Sequence, residues 1–240
     1  MVHRLDGLTQ RYGRSDGGSY DDLQITLNRR ARATVFQSRF CLESFRGEHL
    51  LPGDCVIPNG VDGDLFPWIK RSTPGHILKM VAVSWSANPS KGHALYAALS
   101  VLPGVDVTFV GRWPNGLPAE NVHCVPAMNR DQLLHYLHAA DGFIHAAEND
   151  PAPNVVTEAL ATGLPVFYLA SGGTIEIAED RRFGIPFTQQ TPQALERSLE
   201  EFRSAHFQMR QEIEKARSQF LIEQTYMRYI HIFRSAINID

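Results

Sequence analysis

Short runs of Val, Ile, Leu and Phe alternate along most of this chain with longer amphipathic stretches, and that alternation restricts the fold more than any other feature. A strand buried on both faces reads as a short unbroken apolar run, whereas the helix that returns the chain reads with a period near 3.6. The pattern predicts strands over residues 33–37, 55–58, 78–84, 105–111, 122–125, 141–145 and 165–169, with helices filling most of the gaps. Strands separated by helices pair in parallel, so the expected class is α/β, doubly wound.

Composition narrows the function classes. With 240 residues and 43% apolar side chains the chain has enough to bury a core, which excludes disorder. Lys and Arg number 23 against 26 Asp and Glu, a net charge of -3 without long runs of one sign, so no nucleic-acid partner is expected. Arg4, Asp6, Arg11, Arg14 and Asp16 break up the first residues, leaving no secretory apolar region, and no later run approaches the roughly 18 residues of a membrane span. Cys41, Cys55 and Cys124 lie far apart without metal-like spacing. That usage fits a reducing compartment, and the expected location is cytoplasmic.

The stretch 62–75 holds Gly63, Pro67, Pro74 and Gly75 without a clear period and reads as a linker between a short unit, residues 1–64, and a complete α/β unit, residues 65–240. The C-terminal part is helical. Met209, Ile213, Ala216 and Phe220, and then Tyr226, Tyr229 and Phe233, recur at helical spacing and read as packing stripes; the last helix is expected to reach back toward the first unit.

The most informative stretch runs from Asp150 through Pro153, Asn154 and Glu158 to Gly163 and Pro165. Pro153 suits the first helical position, and Gly163 with Pro165 ends the helix about three turns later. The helix start offers unpaired amides and partial positive charge, a seat for phosphate along the backbone from Asn154 through Val155 to Val156. Glu158 has two acceptor oxygens for a pair of hydroxyls, and Asp150 stands ready for another. On spacing alone, an ordinary cap at Asp150 and a surface Glu158 explain the sequence equally well.

The wider pattern resembles retaining glycosyltransferases of family 4, which have two Rossmann-like lobes in the GT-B arrangement. That family places two acidic residues, with seven residues between them, around a helix start, followed by small residues, Gly, an apolar residue, Pro and Val; Asp150 and Glu158 match, with Asp where Glu is usual. Val56-Ile-Pro-Asn-Gly-Val-Asp62 resembles its interlobe segment. Ser84-Trp-Ser-Ala-Asn-Pro-Ser-Lys91-Gly92 resembles the loop whose Lys contacts the diphosphate, and Ser171-Gly172-Gly173-Thr174-Ile175-Glu176 resembles the Gly-rich turn that closes the site. The motifs fall in the family's order across most of residues 1–235.

The resemblance implies one complete donor lobe, a truncated first lobe and C-terminal helices. It implies transfer of a sugar from a nucleoside diphosphate sugar, UDP favoured, to a glycan or lipid-linked acceptor, with retained configuration and no metal or other cofactor; in keeping with that, the chain is read as holding no carboxylate cluster of the Asp-x-Asp kind. Lys91 would carry leaving-group charge, because the family's Arg five or six positions earlier is replaced by Trp85 and Ser86. Ser86 would help with its hydroxyl, and Trp85 reads as core packing. Gly111 makes a sharp turn at the carboxyl end of a strand, and Arg112 is either a phosphate or base contact or a solvated arginine. Pro126 lies where the family lines the base with backbone groups.

His3 and Asp6 are catalytic candidates on a strand entering the cleft, where the family has a His facing the sugar. His123, His135, His138 and His145 lack zinc-like pairing and read as structural. The polar segment 13–18 is a flexible loop or a cover over the acceptor. With so short a first lobe, the alternative activity is non-catalytic nucleotide-sugar binding beside a partner glycosyltransferase chain; homodimerisation and peripheral membrane contact also fit the resemblance.

Overall fold

The computed structural model describes residues 1–12, 17–45 and 54–237. Two parallel sheets are built in chain order. The first contains β1 (Val2–Leu5), β2 (Ala33–Phe36) and β3 (Asp54–Val56) in the order β1-β2-β3, with helices α1 (Gly17–Asn28) and α2 (Arg39–Phe45). Residues 13–16 of the polar loop lie outside the described residues, while Gly17 and Gly18 open α1.

The second sheet comprises β4 (Leu78–Ser84), β5 (Val105–Gly111), β6 (Val122–Val125), β7 (Gly142–His145), β8 (Val166–Leu169) and β9 (Gly184–Phe187), in the order β6-β5-β4-β7-β8-β9. All pairings are parallel. This is the doubly wound order, in which the chain works outward from a central strand and then restarts on its other side. The helices are α3 (His93–Ser100), α4 (Arg130–Ala139), α5 (Asn154–Ala161), α6 (Thr174–Ile177), α7 (Pro192–Ala216) and α8 (Ile222–Ile237).

The alternation of side chains across a strand divides the larger core. Val81 and Val83 face Val110, Phe143, Leu160 and Tyr168 on one side. Met80 and Ala82 face Phe109, Ile144, Phe167 and Phe202 on the other. Helices cover both faces, which is why these strands are apolar without interruption. The first sheet has a small core around Leu5, Ile25, Phe36 and Phe45.

The 62–75 segment lies against the second sheet's helices: Ile69 N donates to Thr162 O at 3.2 Å, and Arg210 donates to Ile69 O and Arg71 O at 3.0 and 2.7 Å. Several expectations need correction. Met209, Ile213, Ala216 and Phe220 are buried, but Tyr226 and Phe233 on α8 are 58% and 48% exposed, so that second stripe is not fully packed. Trp85 is 52% exposed in the β4–α3 loop, contrary to the core reading. Strand β9 was not anticipated. Before α8, Val61 and Leu221 form a parallel bridge, and within α8 Thr225 Oγ1 donates to Pro58 O at 3.0 Å. Among the described residues no helix is long and apolar enough to cross a membrane.

Candidate active site

Strands β4 and β7 are neighbours whose helices leave in opposite directions, so a crevice opens beyond their carboxyl ends. Lys91 rides on the loop after β4. A short helical turn, Pro89–Lys91, capped by Asn88 holds it, and Gly92, at φ 80°, lets the chain pass Ala146, whose carbonyl oxygen would lie 2.4 Å from any added Cβ. Asp150 rides on the loop after β7. The two loops meet: Glu148 N donates to Ser90 O at 2.8 Å, and Lys91 Nζ pairs with Asp150 Oδ2 at 2.8 Å, the two side chains 32% and 16% exposed. Two residues singled out independently from sequence thus face each other across the switch point.

Helix α5 begins beside this pair. Pro153 is its extended cap rather than its first helical residue, one position off the expectation, and it supplies no side-chain cap bond. Val156 N and Thr157 N turn back to Pro153 O, while the amides of Asn154 and Val155 meet no acceptor among the described residues. Glu158, one turn on, is half-buried, its carboxylate meets no hydrogen-bond partner among the described residues, and burial holds its carboxyl above the usual range. Gly111 adopts φ 136° against Ser84, whose carbonyl oxygen accepts from Arg112 N at 3.0 Å; the Arg112 side chain is exposed, as is Ser86, whose Oγ accepts from Asn88 N at 3.2 Å. Pro126 lines a 500 Å³ cavity with Met128, His135 and Tyr136.

Residues 115–219 match the family model described as glycosyl transferases group 1. The match takes in 105 of the 240 residues, among them Asp150, Asn154 and Glu158. The chain's fold is that of sucrose-phosphate synthase from Thermosynechococcus elongatus, at TM-score 0.79 and 17% identity, covering 100% of this chain and 68% of that one. It is also that of Anabaena HepE in complex with UDP and glucose, at TM-score 0.77 and 19% identity, covering 98% and 71%. A structure of a GtfA/B complex is similar at TM-score 0.69 and 15% identity, with 91% of this chain and 48% of that one covered. No curated protein matches the sequence. These two-lobed structures place the chain in the GT-B fold.

The first-lobe candidates are already engaged. Asp6 Oδ1 accepts from Arg4 Nε at 2.7 Å and from Gln37 Nε2 at 2.5 Å, and His3 Nδ1 lies 3.2 Å from Asn28 Nδ2. From Gln37 a chain of bonds continues through Asn59 to Asn154 Oδ1, so Asp6 is linked across the cleft to the start of α5. Gln37 carried no sequence signal as a site residue, and Asn59 was visible only as part of the interlobe segment, with no role at the site. They line a cavity of 740 Å³ with Ser38, Ala152, Thr157 and Glu176; Lys91, Asp150 and Glu158 lie outside it, in the open crevice. The reading that no Asp-x-Asp cluster is present is corrected by Asp62-Gly63-Asp64, which has that spacing; Asp62 Oδ1 caps a turn there, accepting from the amides of Asp64 and Leu65. Among the described residues no group of three or more His, Cys, Asp and Glu is arranged to hold a metal.

His145, expected as structural, ends β7 beneath the Lys91–Asp150 pair at 4% exposure, and its Nε2 meets no partner among the described residues. Burial, with a lesser contribution from Lys91 and against Asp150, lowers its pKa to about 4. A histidine that takes a proton more readily unfolded than folded loses native stability as pH falls from the unfolded value near 6.5 toward that about 4. Urea melts should show up to about 3 kcal/mol of destabilisation over that window, with His145→Gln flattening the dependence. An unchanged slope in the variant would assign the effect to the other buried histidines, His93 and His206.

Proposed function

We propose that the chain moves a sugar from a nucleoside diphosphate sugar, with uridine as the favoured base, to a hydroxyl of a glycan or lipid-linked acceptor, retaining configuration and without a metal or cofactor. The observation that carries this reading is the Lys91–Asp150 contact across the switch point, beside the free amides of Asn154 and Val155. As the bond to the diphosphate breaks, negative charge collects on its oxygens; Lys91 and those amides stabilise it where it develops. Ser86, Gly111 and Arg112 border the phosphates. Glu158 holds the ribose, Pro126 and its neighbours hold the base, and Asp150 with Asn154 orients the sugar. Retention and absence of a metal rest on the resemblance to family 4. Residues 65–240 form the donor lobe and residues 1–64 the acceptor side, with His3 and Asp6 nearest the reacting sugar; a cytoplasmic location follows from cysteine usage.

A second reading has the chain binding donor while a partner chain or second copy completes the acceptor side, with peripheral contact to a membrane. It is favoured by the three-strand first sheet and by the engagement of Asp6 and His3 with their own neighbours. Incubation with labelled UDP-, GDP- and ADP-sugars and candidate acceptors separates the two: transfer by the chain alone supports the first, and binding without turnover supports the second.

Glu158→Ala tests the donor site itself. Loss of two charge-assisted bonds to ribose should weaken UDP binding about ten- to a hundredfold by calorimetry. Because ribose hydroxyls donate to the ionised carboxylate and burial raises its pKa, wild-type affinity should rise with pH through that raised value. Unchanged affinity in the variant would remove Glu158 from the site.

A further inference from the structure

The segment 171–176 touches both the Asp150 loop and the first lobe. On the donor side, Gly173 N donates to Asp150 O at 2.8 Å and Asn149 N donates to Ser171 Oγ at 2.9 Å. The fit leaves no room for side chains: a Cβ on Gly172 would lie 2.3 Å from Asp150 O, and one on Gly173 would lie 1.9 Å from Pro151 O. On the opposite side, that same Cβ would come within 3.2 Å of Ser38 Oγ in the first lobe. Glu176 then reaches the beginning of α2, where Oε2 accepts from Arg39 N at 2.7 Å and Oε1 from Phe40 N at 2.6 Å. Ser38 Oγ takes the next amide, that of Cys41, at 2.9 Å.

The first amides of a helix lack intrahelical acceptors and carry partial positive charge, so a carboxylate accepting from two of them makes a directional, charge-assisted joint. From the geometry we infer that Glu176 is a positioning residue: by anchoring the Gly172–Gly173 turn to α2, it fixes the loop that carries Asp150. The consequence for sugar transfer rests on the function proposed above; the mechanical link does not. Glu176 touches no reacting atom and acts through the turn. It couples the approach of the first lobe to the placement of Asp150.

Hydrogen exchange tests the link without any assay of activity. In Glu176→Ala, exchange should rise about tenfold or more at residues 38–41 and also at residues 146–153. Arg39→Pro attacks the joint from the other lobe, removing one donor while keeping a residue suited to the first helical turn. It should reproduce part of both effects, and adding it to Glu176→Ala should produce little more. Unchanged exchange at 146–153 in both single variants, or additive effects in the double variant, would overturn the inference.

In the transfer assay, kcat of Glu176→Ala should fall about tenfold or more while the UDP dissociation constant stays within about twofold, because orientation rather than donor affinity is lost. Glu176→Gln, with one acceptor oxygen, should fall between. A wild-type protein that fails to turn over any donor sinks the proposed function and leaves the exchange result to decide this one. Normal turnover by wild type and Glu176→Ala alike sinks the positioning role alone.

Discussion

Lys91→Met is expected to lower kcat/KM for sugar transfer by about 10²- to 10³-fold, the range seen when one group stabilising developing negative charge is removed. The family resemblance lacks its preceding arginine here, with Trp85 and Ser86 in those places, so Lys91 stands as the cation held against Asp150 at the switch point. The same substitution should scarcely change the melting temperature. At 32% and 16% exposure the pair is partly solvated, and such ion pairs contribute about 1 kcal/mol or less. A variant that melts normally and has lost activity would separate function from fold. Retained activity would mean that the diphosphate is neutralised elsewhere.

Gly111→Ala should have the largest effect on stability. At φ 136° a side chain is strained, and the new Cβ would lie 1.8 Å from Ser84 O, a backbone atom in the neighbouring central strand that cannot swing aside. Strain and overlap together should cost about 3 kcal/mol or more, or roughly 6–12 °C in melting temperature for a chain of this size. Gly75→Ala is the control: φ is ordinary and nothing lies within 4 Å of the added carbon, so the melting temperature should hold or rise slightly. A stable Gly111→Ala protein would show that β4 and β5 separate more easily at their ends than their pairing indicates.

Much of the larger sheet was legible because strands covered by helices on both faces are apolar throughout; Leu78–Ser84 and Val166–Leu169 announce themselves. Strand β9 escaped because it is only Gly-Ile-Pro-Phe, and its proline argues against a strand until one knows that it lies at the sheet's edge. Trp85 shows the limit of reading aromatics as core: it sits on the exposed loop at the ligand-binding edge. The α5 start was legible from Pro153, Gly163 and Pro165, though proline's extended backbone makes it the cap.

The local motifs around Lys91, Asp150 and Glu158 were visible, but their meeting is a property of strand order. Gln37, Asn59 and Glu176 matter through partners on the other lobe, far away in sequence, and no periodicity records such contacts. The depressed pKa of His145 likewise depends on complete burial, which an apolar run suggests without deciding.

The central claim is that a diphosphate seats between Lys91 and the opening amides of α5. A crystal structure of the protein grown with UDP tests it most directly. The account predicts the diphosphate within hydrogen-bond distance of Lys91 Nζ and of the Asn154 or Val155 amides, ribose on Glu158, and the Lys91–Asp150 contact opened. Nucleotide bound elsewhere, with Lys91 still held on Asp150, would contradict it.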